Sequence, residues 1–106
     1  MMTTENKSFQ HNVLLNLTIA DKKVQQELFD KAETLKKING VTDLSYGINE
    51  TPEAERAKGY NFGLSVQFKD FKSLLDYQND PLHVEFKNFI KPLMNDESIV
   101  MDYPLQ

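Results

Sequence analysis

Residues 61–68 read Asn-Phe-Gly-Leu-Ser-Val-Gln-Phe, so Phe62, Leu64, Val66 and Phe68 alternate without a break against small or polar neighbours. Successive side chains of a strand point to opposite faces, so this segment has one apolar face and one that is not. A chain containing it must build a sheet and then cover the apolar face with another apolar layer.

The remaining segments supply both the sheet and the cover. From His11 to Ile19, His11, Val13, Leu15, Leu17 and Ile19 alternate with Asn12, Leu14, Asn16 and Thr18, which predicts a first strand with His11 on its apolar side. Asp21 is placed to cap a helix in which Val24, Leu28, Ala32 and Leu35 recur at helical spacing beneath a Lys/Glu-rich outer surface. Asn39-Gly40 stops it, because both residues tolerate a left-handed backbone. Leu44, Tyr46 and Ile48 mark a second strand. Residues 49–59 carry Pro52, three Glu, Arg56 and Lys58, which reads as a solvated loop with room for a helical turn, or as a lid over a pocket entrance.

After the third strand, Asp70 caps a short helix lined by Phe71, Leu74, Leu75 and Gln78. Asp80-Pro81 then starts another helix: Asp is a good cap, and the missing N–H of Pro has no partner at the first helical position anyway. Leu82, Phe86, Phe89, Ile90 and Leu93 should face inward, and Pro92 ends or bends the helix. A last strand runs from Ile99 to Tyr103, closed by Pro104. The order β-α-β-β-α-α-β is that of an α+β ferredoxin-like fold, a four-stranded antiparallel sheet with its helices on one face. Asn12, Asn16, Ser65 and Gln67 should lie on the other face, making it half polar.

At 106 residues this is one domain, with residues 1–8 read as a flexible polar N-terminal arm and 9–104 as the folded unit. A net charge of −4 argues against a surface built for phosphate backbones or acidic lipid. Without Cys there is no disulfide framework, thiol nucleophile or Cys-based zinc site. The polar start lacks the apolar core of a signal peptide, and no run approaches the ~18–20 apolar residues of a membrane span. A cytoplasmic protein without a cofactor, and with no nucleic-acid or membrane partner, is expected. The two histidines lie 72 positions apart with no metal-binding spacing, so no metal is expected either.

Lys58-Gly59-Tyr60-Asn61-Phe62 imitates the start of an RNA-recognition signature. Gly63 and Ser65 stand where that signature needs Val and an aromatic residue, so core packing of Phe62 is the better reading.

The pieces His11-Asn12-Val13-Leu14-Leu15-Asn16-Leu17, Asn39-Gly40-Val41, Tyr46-Gly47-Ile48-Asn49 and Gly59-Tyr60 come in order. Val66-Gln67-Phe68, the stretch from Tyr77 to His83, and Val100-Met101-Asp102-Tyr103 complete the set. Together they span nearly all of residues 9–104 and resemble the stress-responsive A/B barrel (Dabb) family of the dimeric α+β barrel superfamily. The resemblance implies a homodimer in which two sheets face each other and close a barrel. It also implies binding of a small carbonyl-containing or apolar ligand. In plant polyketide cyclases of this family, an intramolecular aldol condensation uses a strand-one His, a helix Tyr and a His that follows a Pro. These positions fall on His11, Tyr77 and His83.

On that resemblance, His83 removes a proton α to a carbonyl, Tyr77 stabilises the oxyanion and His11 polarises or positions the substrate. The match departs at Asp80, where many relatives carry His. Haem chemistry, known elsewhere in the superfamily, is not expected without Trp and with both histidines already assigned.

Each candidate also has a purely structural reading. His83 sits near the third helical position, where the dipole disfavours a charged ring while the Asp80 anion favours one; it could simply bond Asp80 or backbone. Tyr77 could anchor a helix end with its hydroxyl on a backbone group. His11 could be a satisfied core residue. The competing function is then a non-catalytic dimeric interaction or structural module whose interior is filled by side chains.

Overall fold

The computed structural model describes residues 7–106, so all but the last two residues of the expected N-terminal arm lie outside the described chain. Four strands, β1 (Phe9–Leu15), β2 (Val41–Ile48), β3 (Phe62–Phe68) and β4 (Ile99–Pro104), form one antiparallel sheet in the order β2-β3-β1-β4. Helices α1 (Lys22–Thr34), α2 (Phe71–Tyr77) and α3 (Pro81–Ile90) complete the ferredoxin-like order. Short 3₁₀ turns follow α1 at Leu35–Lys37, interrupt the long loop at Ala54–Ala57 and extend α3 at Lys91–Leu93.

Three aspartates start the three helices. The Asp21, Asp70 and Asp80 carboxylates accept the backbone N–H groups of Val24, Ser73 and Leu82 at 2.9, 2.8 and 2.9 Å. Each satisfies a donor that the first helical turn cannot. At the other end of α1 the chain turns through Gly40, whose φ of +93° suits a residue without Cβ. A Cβ there would also collide with the side chain of Ser73 on α2.

β3 alternates as its sequence requires, with Phe62, Leu64, Val66 and Phe68 all buried. Phe62 is buried against the rings of Phe29 and Tyr46, which leaves it unavailable for base stacking. Leu28 and Ala32 from α1 and Leu35 from the turn after it, with Phe86 and Ile90 from α3, close the core over Leu15 and Val66.

Two expectations need correction. β1 ends at Leu15 rather than at Ile19. β3 begins only at Phe62, so no strand backbone is left for Leu17. The Asn61 side chain takes its place, accepting from the Leu17 N–H at 2.9 Å and donating to the Leu17 carbonyl at 2.8 Å. Leu17 stays buried and bridges to Met94. In α2, Leu75 points outward, 49 % exposed, while Ser73, Leu74 and Tyr77 form the buried face. The cap at Asp70 sets the phase of this short helix: positions 70, 73, 74 and 77 share one side, and residue 75 is turned about 100° away from Leu74.

Candidate functional site

The sheet register brings the site together. In β1, His11 pairs with Val66 of β3 on one side and with Asp102 of β4 on the other. Residues directly opposite in an antiparallel pair share a face, so the His11 ring and the Asp102 carboxylate both project toward the helices. His11 Nδ1 lies 2.6 Å from Asp102 Oδ1, and the imidazole is 5 % exposed. With Nδ1–H donating to the carboxylate, Nε2 is the ring's free nitrogen.

Tyr77 lies beneath this ring at the last turn of α2. It is fully buried, edge-on to Phe68 with ring centroids 4.9 Å apart and to His11 at 5.8 Å. Its hydroxyl has no hydrogen-bond partner among the described residues, which sets aside the expected bond to backbone. Burial, then the nearby Asp80 carboxylate, raise the Tyr77 hydroxyl above the usual tyrosine range, so it keeps its proton and acts only as a donor or acceptor in the neutral form.

His83 stacks on Tyr77 with centroids 4.2 Å apart. Asp80 caps α3 and Pro81 takes the first helical position, which puts His83 at the third. Its Nδ1 faces the Gln78 carbonyl at 3.3 Å. A carbonyl only accepts, so Nδ1 carries the hydrogen and Nε2 the lone pair. Burial holds the ring's pKa below its ordinary value; the Gln78 carbonyl opposes this, the Lys87 and His11 charges add to it, and Asp80 opposes it weakly. His83 is therefore neutral at pH 7 with a basic nitrogen available.

His11 and His83 both line a cavity of about 340 Å³ between the β1–β4 edge of the sheet and α3. Its walls are apolar, from Val13, Leu15, Phe86, Ile90, Met94 and Val100, and Gln78, Lys87, Lys91 and Ser98 supply polar groups. Tyr77 supports both histidine rings from behind and is not itself part of the wall. Of the three candidate side chains, two thus reach the cavity and the third packs against both.

Asp102 was not singled out from the sequence as a functional residue. The signal that finds it is the alternation of β4: once Asp102 is paired opposite His11, Val100 and Asp102 must share the face that meets the cavity. Among the described residues no three His, Cys, Asp or Glu side chains cluster as metal ligands. No helix among them is long and apolar enough to cross a membrane.

Solved structures share this architecture. Hydroxynitrile lyase from Passiflora edulis superposes with a TM-score of 0.80 at 18 % identity, covering 95 % of each chain. A dimeric ferredoxin-like protein from Thermobifida fusca gives 0.81 at 15 % identity, over 99 % of this chain and 97 % of that one. A Dabb family protein with a ferredoxin-like fold from Mesorhizobium loti gives 0.73 at 26 % identity, over 94 % and 99 %. No curated protein sequence matches the chain. The model of the Stress Responsive A/B Barrel Domain matches residues 9–105, almost the full length. The chain belongs to the stress-responsive A/B barrel (Dabb) family.

Proposed function

We propose that this protein binds a small, largely apolar carbonyl compound in the cavity beside α3 and transfers a proton at the carbon next to the carbonyl. The observation that carries the reading is the pairing of two differently held imidazoles on one apolar cavity. His83 is neutral, with a basic Nε2 suited to removing the proton. His11, with Nδ1 held by Asp102, also lines the cavity and donates to the oxygen from Nε2–H when its ring carries both protons. Tyr77 supplies the remaining hydroxyl, unpaired among the described residues behind the two histidine rings; it reaches a developing oxyanion only when those rings shift to admit it. The enzyme neighbour from Passiflora edulis supports catalysis on this fold without naming the reaction here.

The same reading includes a homodimer through the open sheet face. Leu14, Ile99, Met101 and Tyr103 expose apolar surface there, and they are joined across strands by the register. The neighbour from Thermobifida fusca is described as dimeric. A closed pair would bury this patch and the Gln10–Ser65–Asn12 hydrogen-bond chain beside it. The competing module reading requires an interior filled by side chains, and the 340 Å³ cavity counts against it.

The test is exchange of the α-hydrogens of octan-2-one for deuterium in D₂O, followed by NMR. Exchange above the buffer rate that falls with His83→Ala is expected. No exchange above the buffer rate, or exchange in His83→Ala equal to that of the wild type, would overturn the proton-transfer reading.

A further inference from the structure

Resting on the cavity assigned above, we infer that its ligand is amphipathic, with an aliphatic body against the apolar wall and a carboxylate held at the rim by Lys87 and Lys91. The two lysines are four positions apart at the end of α3, so they lie on one side of it, and both line the cavity. Neither is within ion-pair distance of a carboxylate among the described residues, whereas Lys31 is engaged by Glu85 and Lys72 by Asp76. No carboxylate lines the cavity among the described residues, and Asp102, on the strand beside it, is already bonded to His11. The Lys87 charge also reaches inward, where it helps keep His83 neutral.

Lysines at a helix C-terminus complement the dipole wherever they occur. What sets this pair apart is its position on the cavity of a chain whose net charge is −4. The carbonyl ends of α3 alone would make this rim repel anions, and the two ammonium groups reverse that sign. Size constrains the body: an apolar cavity of about 150 Å³ holds benzene, so one of about 340 Å³ holds on the order of a dozen non-hydrogen atoms. The carbonyl next to the histidines and the carboxylate at the lysines then belong to opposite ends of one short chain.

Octanoate and its neutral isostere octanamide are the probes, titrated at low salt into the full-length protein. The imidazole Hε1 signals of His11 and His83, the chain's two histidines, are followed by NMR. Octanoate should shift both signals and bind more tightly than octanamide. The Lys87→Gln/Lys91→Gln double variant should weaken octanoate roughly three- to thirtyfold, the range for two rim charges, and leave octanamide unchanged. Added salt should weaken octanoate alone. Because both lysines are exposed, the variant should keep the wild-type fold, and its unchanged affinity for octanamide verifies this. If octanamide shifts the imidazoles as strongly as octanoate, or the double variant binds both probes as the wild type does, the anion site is wrong while the cavity reading stands. If neither probe moves the imidazoles, both readings fall.

Discussion

Replacing Tyr77 by Phe separates packing from hydrogen bonding at the centre of the site. The ring contacts with Phe68 at 4.9 Å and His83 at 4.2 Å survive the change, and only the hydroxyl is lost. That hydroxyl is fully buried and has no partner among the described residues. Leaving such a group unsatisfied costs roughly 1–3 kcal/mol. Its van der Waals contacts, at about 0.1–0.2 kcal/mol each, return on the order of 0.5 kcal/mol. Tyr77→Phe should therefore stabilise the fold by about 1 kcal/mol, raising the melting temperature by on the order of 4 °C for a domain of this size. Urea denaturation at fixed protein concentration, with wild type and variant showing the same m-value, measures it directly. The variant should at the same time exchange octan-2-one more slowly than the wild type. A loss of 1 kcal/mol or more would refute the reasoning, because it would mean the hydroxyl is bonded in the native state. A more stable and equally active variant would remove Tyr77 from the chemistry.

Asp102→Asn should leave the fold intact but remove the anion that faces the doubly protonated His11 ring, lowering exchange at least tenfold and moving the His11 Hε1 signal; unchanged rate and signal would remove the dyad. The pKa of His83 is depressed on folding, so the unfolded chain binds more protons below about pH 6.5. Its contribution to stability is complete above that pH and falls as the pH drops through the folded pKa; the basic limb it provides to the exchange rate should fall in the same window, and a histidine NMR titration placing His83 above 6.5 would contradict both. Met101→Asp puts a carboxylate into the proposed apolar interface. Light scattering at micromolar concentration should then give 12.3 kDa for the variant and twice that for the wild type, and a wild-type mass of 12.3 kDa would end the dimer reading. Gly40→Ala should cost at least about 1 kcal/mol, from a φ of +93° and the collision with Ser73, and a smaller loss in urea denaturation would show that α2 can shift.

The elements themselves were legible in the residues. Alternation in 62–68, aspartates just ahead of apolar helical faces, and the Asp80-Pro81 start all act over a few neighbouring positions, where local geometry leaves one solution. These signals placed His11 on the covered face of the sheet and His83 in the first turn of α3. The short α2 was harder: seven residues hold less than two full repeats, so Leu75 looked as inward as Leu74 until the Asp70 cap set the phase. The end of β1 was decided by a side chain 44 positions away, Asn61 standing in for a missing strand. The site was decided the same way. Asp102 meets His11 across 91 positions because antiparallel register puts them opposite each other. The loneliness of the Tyr77 hydroxyl and the neutrality of His83 depend on how tightly other elements close over them. Propensity and periodicity are local properties and can be read along the chain; burial and register are relations between distant segments, and only the folded structure sets them.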